Sequence, residues 1–308
     1  MNDSSSSSSL SYDYEEVTRE YQVIRKLYIC ISAVCMFTNT MVVLAFISSY
    51  NLRERVANYF ILNLSINDFV TGFVNLVYQC LIYNPFFYGS IYCWILSAIQ
   101  PTVFACSFMS MALVSLDRYI YITSPLCYHM RVTAIRVKTA ILCSWVIPII
   151  IVIVIPNIIH PFYHVIEDHC IYLESTSVTV SGPIMAMVTM TIMLFSSISI
   201  LIEARKQRRR IVNQGSMSPT SVYLFNPSGD IRRLVNTGVL VLIFLIMWLP
   251  YIVTATLVMS KQNQRFNARS LELAAIFVFL NSAINPMLYA MNPDFKKAYL
   301  QILRFKLF

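Results

Sequence analysis

The sequence predicts an all-α membrane protein: a seven-transmembrane helix bundle followed by a short amphipathic helix at the C-terminus. Three observations predict it. Hydrophobic residues make up 57% of the 308 positions and charged residues only 12%, against about 25% charged in a soluble domain. The few charges are gathered between long uncharged runs. The basic ones are divided unequally between alternate connections.

The uncharged runs fall at Leu27–Leu52, Val56–Ser90 (broken only by Asp68), Ile91–Leu116, Thr139–Ile159, Ser175–Ile202, Leu234–Ser260 and Leu273–Pro293. Each reaches the roughly 20 residues that a spanning helix needs. An odd number of spans puts the two termini on opposite sides. One set of connections carries sixteen basic residues: Arg53, Arg55, Arg131, Arg136, Lys138, Arg205, Lys206, Arg208, Arg209, Arg210, Arg232, Arg233, Lys296, Lys297, Arg304 and Lys306. The other carries six, namely Arg19, Arg25, Lys26, Lys261, Arg265 and Arg269, with Arg118 at a boundary. Short cytoplasmic loops collect Lys and Arg, so the expected orientation is N-terminus outside and C-terminus inside. The net charge of +8 then reads as membrane topology against an anionic inner leaflet, and not as nucleic-acid binding.

Residues 1–26 form the expected extracellular tail, Ser-rich and then acidic at Asp13, Glu15 and Glu16. The tail lacks the basic-then-apolar layout of a cleaved signal, so the first span is expected to serve as its own anchor. Asn2-Asp3-Ser4 fits the glycosylation pattern on the outer side. Of the eight cysteines, Cys30, Cys35, Cys80, Cys106 and Cys143 fall inside apolar runs and Cys127 in a cytoplasmic loop. Cys93 and Cys170 remain on the oxidising side, which predicts a disulfide between them; the alternative is two free thiols. The receptor body is expected over residues 27–292.

The one long polar insert, Arg205–Arg233, contains Gln214-Gly215-Ser216-Met217-Ser218-Pro219 and Asn226-Pro227-Ser228-Gly229. These turn-forming stretches predict a flexible cytoplasmic loop with basic ends. Ser216, Ser218 and Thr220 are its phosphorylation candidates. Over residues 293–308, apolar positions recur at near-helical spacing among Lys296, Lys297 and Arg304, which predicts an amphipathic helix on the inner leaflet and contact with membrane lipids.

Ionisable groups at membrane depth are costly and usually functional. Asp68 lies well inside span two, where a charge costs roughly 2.5–3.5 kcal/mol even on a permissive scale. Asn39, Ser107, Asn281, Ser282 and Asn285 are the polar residues of other spans available to it, and Asn281 and Asn285 share a helix face. Such carboxylate, amide and hydroxyl oxygens suit a hard monovalent cation; the alternative is a protonated Asp68 that only ties helices together. At the inner end of span three, Arg118 needs an acid, and Asp117 and Asp230 are the candidates. The alternative there is a snorkelling arginine. Pro250 and Pro286 each remove a backbone hydrogen bond beside this polar centre and predict bends in spans six and seven.

Taken together these positions resemble the rhodopsin-like class of G-protein-coupled receptors, over roughly Leu27 to Phe305. The motifs are Asn39; Leu64-Ser65-Ile66-Asn67-Asp68; Cys93 with Asp117-Arg118-Tyr119; Trp145; Phe244-x-x-x-Trp248-Leu249-Pro250; and Asn285-Pro286-Met287-Leu288-Tyr289. The resemblance implies a plasma-membrane receptor whose partners are an extracellular ligand and a heterotrimeric G protein. It implies no cofactor beyond an allosteric sodium ion at Asp68, Ser107, Asn281 and Asn285, and no other metal. It makes Arg118 and the loop residue Leu126 G-protein contacts, Asp230 the inactive-state partner of Arg118, Trp248 a rotamer-sensitive residue beneath the ligand, and Tyr289 a residue that swings inward on activation. The switch set is therefore Asp117, Arg118, Tyr119, Asp230, Phe244, Trp248, Pro250, Asn285, Pro286 and Tyr289.

The chain departs from that pattern in places. Pro183 lies too early for the span-five proline, so Thr189 and Ser197 take the usual proline and tyrosine positions. Seven residues after Cys93 comes Gln100, where amine receptors carry an aspartate. The run Asp117–Leu126 and the second outer loop otherwise look amine-receptor-like. Phe279 replaces the retinal-binding lysine of an opsin. The expected ligand pocket comprises Gln100, Phe104, Ser181, Met185, Trp248, Tyr251, Ile252, Ala255, Ala275 and Phe279. Being aromatic and nearly uncharged, it predicts a neutral small molecule or a peptide as ligand; the alternatives are a biogenic-amine receptor with a displaced counter-ion and a signalling-deficient receptor-like scaffold. No internal repeat or broken helix supports a transporter. Neither paired aspartates nor an HExxH motif supports an enzyme, His160, His164 and His169 forming only a loose group. The end at Phe308 offers no Ser/Thr cluster for arrestin.

Overall fold

The computed structural model describes the backbone of residues 4–81, 91–155, 158, 176–213, 227–259 and 268–304. Among these, seven helices are long and apolar enough to cross a membrane: Gln22–Ser48, Asn58–Leu81, Ala98–Thr123, Ala134–Val154, Ile184–Glu203, Val241–Val258 and Arg269–Tyr289. They are called spans one to seven. Asn2 and Cys170 lie outside the described residues, as do the loop serines and the outer-loop histidines. The side chains of Cys93, Ser181 and Asp230 lie outside the described side chains.

Span one packs on spans two and seven, span three on two, four and five, and span six on five and seven. Span three thus runs through the middle. Beside an apolar core, many polar residues are buried and many large apolar ones face outward. Asn39, Ser65, Asn67, Asp68, Asn75, Ser110, Ser115 and Ser144 are buried to the last few per cent, whereas Phe37, Phe73, Met187, Phe195, Ile246 and Met287 are exposed on the outer faces. Against lipid, apolar side chains gain nothing from hiding, while polar groups must find one another inside. Close approach helps them. A Cβ on Gly72 would meet Met36 Cγ at 3.1 Å and the Ser32 carbonyl oxygen at 3.2 Å, so spans one and two touch backbone to backbone there.

Several helices run beyond the apolar runs. The first helix begins at Ser4, the fifth reaches Asn213, and the sixth begins at Pro227. The insert expected as a loop from Arg205 to Arg233 is therefore helical at both ends. Glu, Lys, Gln and Arg are good helix formers, and a long helix already nucleated in the bundle extends through them. Proline positions that composition does not single out also matter. Pro101 lies inside the third helix and Pro148 inside the fourth, which then widens to a π-turn at Ile150–Val154.

After span seven, Asn292 caps a helix over Pro293–Leu303, its side chain accepting from the Asp294 amide at 3.1 Å. Pro293 takes the first helical position, where its missing N–H is not needed. Phe295, Ala298 and Ile302 are buried, while Leu300 and Leu303 stay exposed, as an amphipathic helix requires. Asp294 pairs with Arg55, between spans one and two, at 2.8 Å, and Phe295 packs against Tyr289.

Candidate functional site

The polar centre assembles around span two. Asn285 Nδ2 donates to Asp68 Oδ2 at 2.8 Å, and the side chains of Ser107 and Ser282 face the same carboxylate. Asn39 Nδ2 donates to the Ser282 carbonyl at 3.0 Å and to the Cys35 carbonyl at 2.9 Å. Asp68, Ser107, Asn281 and Asn285, drawn from spans two, three and seven, are all at most 3% exposed. Yet Asp68 Oδ1, Asn39 Oδ1, Asn67 Oδ1 and Asn281 Oδ1 accept no hydrogen bond. Four buried oxygens with spare lone pairs are far from the usual satisfaction of buried polar groups.

A second polar hub sits a little earlier in span two, around Asn63, a residue that the sequence expectations do not single out. Asn63 Nδ2 donates to Ser110 Oγ at 2.9 Å and Ser144 Oγ at 3.3 Å, while its Oδ1 accepts from Trp145 Nε1 at 2.8 Å. Spans two, three and four are thereby joined. The sequence offers as hints one of four asparagines in span two and a tryptophan in span four.

Toward the end of the bundle away from Arg118 the aromatics stack in one chain. Phe104 meets Trp248 edge-on at 5.5 Å and Phe279 at 5.3 Å; Trp248 meets Phe108 at 4.2 Å and Tyr251 at 5.9 Å. Phe244 lies beneath, against Phe108 at 5.4 Å. Trp248 is buried with its Nε1 hydrogen unpartnered. Of the expected pocket residues, Phe104, Trp248, Tyr251 and Phe279 come together, Ala275 joins them beside Phe279, and Ile252 packs on the adjoining core. Ala255 and Gln100 are partly buried. Met185 packs with Ala105 and Val152. Span five stays helical through the position where a proline is missing, and Thr189 Oγ1 donates back to the Met185 and Ala186 carbonyls. The buried hydroxyls of Ser197 and Tyr289 both lack partners.

Near the C-terminal end of span three, Arg118 Nε stands 3.6 Å from Asp117 Oδ2. The other carboxylate oxygen accepts from Tyr128 Oη at 2.6 Å. Tyr128, in the short helix Tyr128–Arg131, is not among the expected residues, because no spacing rule shows a loop phenol folding back under a span. Burial and then the neighbouring Asp117 charge push its phenol well above the ordinary range, so it keeps its proton and acts as the donor. Tyr119 rests against Phe195 of span five. Nearby, Leu126 is 96% exposed.

The model of the rhodopsin-family seven-transmembrane receptors matches residues 38–289. The dog (Canis lupus familiaris) histamine H2 receptor is 26% identical over 86% of this chain and 75% of its own length. Trace amine-associated receptor 365 of Petromyzon marinus is 26% identical over 96% of this chain and 83% of its own, and trace amine-associated receptor 6 of Mus musculus is 26% identical over 87% and 81%. With its seven spans, its buried Asp68–Asn285 contact and its Asp117–Arg118 pair already in place, the chain belongs to the rhodopsin family of seven-transmembrane, G-protein-coupled receptors.

Proposed function

We propose that this receptor couples an extracellular ligand held over Trp248 to the release of Arg118 at the inner face, where a heterotrimeric G protein takes it up. The observation that carries the reading is the Arg118–Asp117 pair, locked from below by Tyr128. Asp117 and Arg118 are neighbours on one helix, so the pair opens when the Arg118 side chain turns away, and the guanidinium is then a donor for a partner at the mouth of the bundle. Between mouth and ligand run Phe244, Phe108 and Trp248 in direct contact, with Pro250 and Pro286 as the bends. Asp230 is assigned the role of a second partner for Arg118. Leu126 and Met130, between spans three and four, are 96% and 76% exposed, apolar side chains suited to a protein partner. The basic connections are assigned to the cytoplasm, residues 1–26 to the outside, and residues 293–308 to the inner leaflet.

A sodium ion fits the centre at Asp68. Carboxylate, amide and hydroxyl oxygens are the donors a hard cation takes, and the orphaned Oδ1 atoms of Asp68 and Asn281 supply unused lone pairs. Asp68, Ser107, Asn281 and Asn285 would hold it, and when bound it would supply the positive charge that a buried carboxylate otherwise lacks. Cys93–Cys170 pairing and glycosylation at Asn2 complete the outer face.

The floor of the pocket is aromatic, so the ligand rests there by stacking and a few hydrogen bonds. A neutral ligand or a peptide suits that floor. The resemblance to histamine and trace-amine receptors extends the choice to an amine, whose charge would need a carboxylate other than at Gln100. Basal dissociation of a co-expressed G-protein heterotrimer in cells tests the coupling. It should exceed that of untransfected cells and fall to their level in Arg118→Ala; equal signalling in both receptors contradicts the reading. No basal signal from either favours the scaffold, a reading that the unpartnered Tyr289 hydroxyl supports.

A further inference from the structure

Gln100 leaves the centre of the pocket without a charge, but span seven carries a carboxylate in its first turn. Glu272 lies in the first turn of that span and is partly buried. The phenol of Tyr28 stands within electrostatic reach of Glu272, Tyr251 and Tyr78. These four residues come from spans seven, one, six and two, so the groups converge on the interior and not on lipid. The Tyr28 hydroxyl donates to the Glu272 backbone carbonyl, which ties span one to span seven and leaves that donor off the carboxylate. Tyr28 is buried and meets Phe279 edge-on at 5.4 Å, while Tyr251 meets Trp248. An aromatic wall thus descends from the Glu272 rim to the pocket floor.

Aromatic faces attract cations, and quaternary or primary ammonium groups are recognised by cages of such faces. A partly dehydrated carboxylate at the rim of the cage adds a charge-assisted hydrogen bond. Arg269, one turn earlier on span seven, offsets part of the Glu272 charge, but it belongs to the same helix and brings no aromatic face. We infer that Glu272, with Tyr28, Tyr78 and Tyr251, forms a cation subsite that takes the ammonium of an amine ligand whose aromatic or apolar body lies toward Trp248. This rests on the reading of the outer bundle as the ligand pocket and supplies the carboxylate that position 100 lacks.

The test uses the purified full-length receptor and two probes of the same shape, 2-phenylethylammonium and 2-phenylethanol, read by the shift in thermal midpoint as each is titrated. The ammonium should bind about tenfold or more tightly than the alcohol, the size of a lost charge-assisted hydrogen bond. Glu272→Gln should bring the two probes to near equality, and Glu272→Asp, which keeps the charge, should retain the preference. The unliganded midpoints show that both variants fold. Equal binding of ammonium and alcohol to the unaltered receptor, an undiminished preference in Glu272→Gln, or no shift with either probe overturns the inference. The receptor reading itself stands or falls separately, on Arg118-dependent G-protein dissociation.

Discussion

Span two carries two buried polar hubs barely more than a turn apart, and they are built on opposite terms. At Asn63 the described donors and the acceptor are matched: its amide reaches Ser110 and Ser144, and its carbonyl takes the Trp145 indole. At Asp68 one carboxylate oxygen is taken by Asn285 and the side chains of Ser107 and Ser282 face the group, while its Oδ1 and the buried amide oxygens of Asn39, Asn67 and Asn281 stay unmatched. A matched hub holds helices in one arrangement. An unmatched one keeps capacity for water or an ion and favours more than one arrangement, which suits a switch.

The contrast is open to breakage. Asn63→Ala should give the largest loss of stability, because it strands the Trp145, Ser110 and Ser144 groups at about 1–3 kcal/mol; in purified receptor this reads as a fall of several degrees in thermal midpoint. An unchanged midpoint would mean that the matched hub is not a rivet. The same rule holds on a smaller scale at the inner mouth, where Tyr128 makes one hydrogen bond to Asp117. Tyr128→Phe removes that bond, worth about 1 kcal/mol, and should raise basal G-protein dissociation up to about fivefold if the lock favours the resting state. Unaltered basal signalling would assign Tyr128 to packing alone.

Much of this is legible in the sequence for one physical reason: lipid forbids what water tolerates. Uncharged runs mark spans, and a polar residue inside one must have a partner, so Asp68, Asn285 and Asp117-Arg118 stand out from the order of residues alone. Partner choice is less legible. Asn63 looks no different from any other buried amide until spans three and four are in place, and Tyr128 lies in a loop with no periodicity to orient it. The place of Met185 along span five predicts a pocket position, but its packing on Ala105 and Val152 is legible only once spans three and four are in place. The helical ends of the Arg205–Arg233 insert are hidden for a different reason. Polarity there suggests a loop, although the residue types favour helix.

Thermal unfolding of the purified receptor in sodium chloride against potassium chloride at equal ionic strength tests the unmatched hub directly. The midpoint should rise as sodium replaces potassium, and Asp68→Asn should abolish that rise while leaving the sodium-free midpoint close to that of the unaltered receptor. A receptor that does not distinguish the two ions, or an Asp68→Asn variant that responds to sodium as fully as the original, would contradict the account.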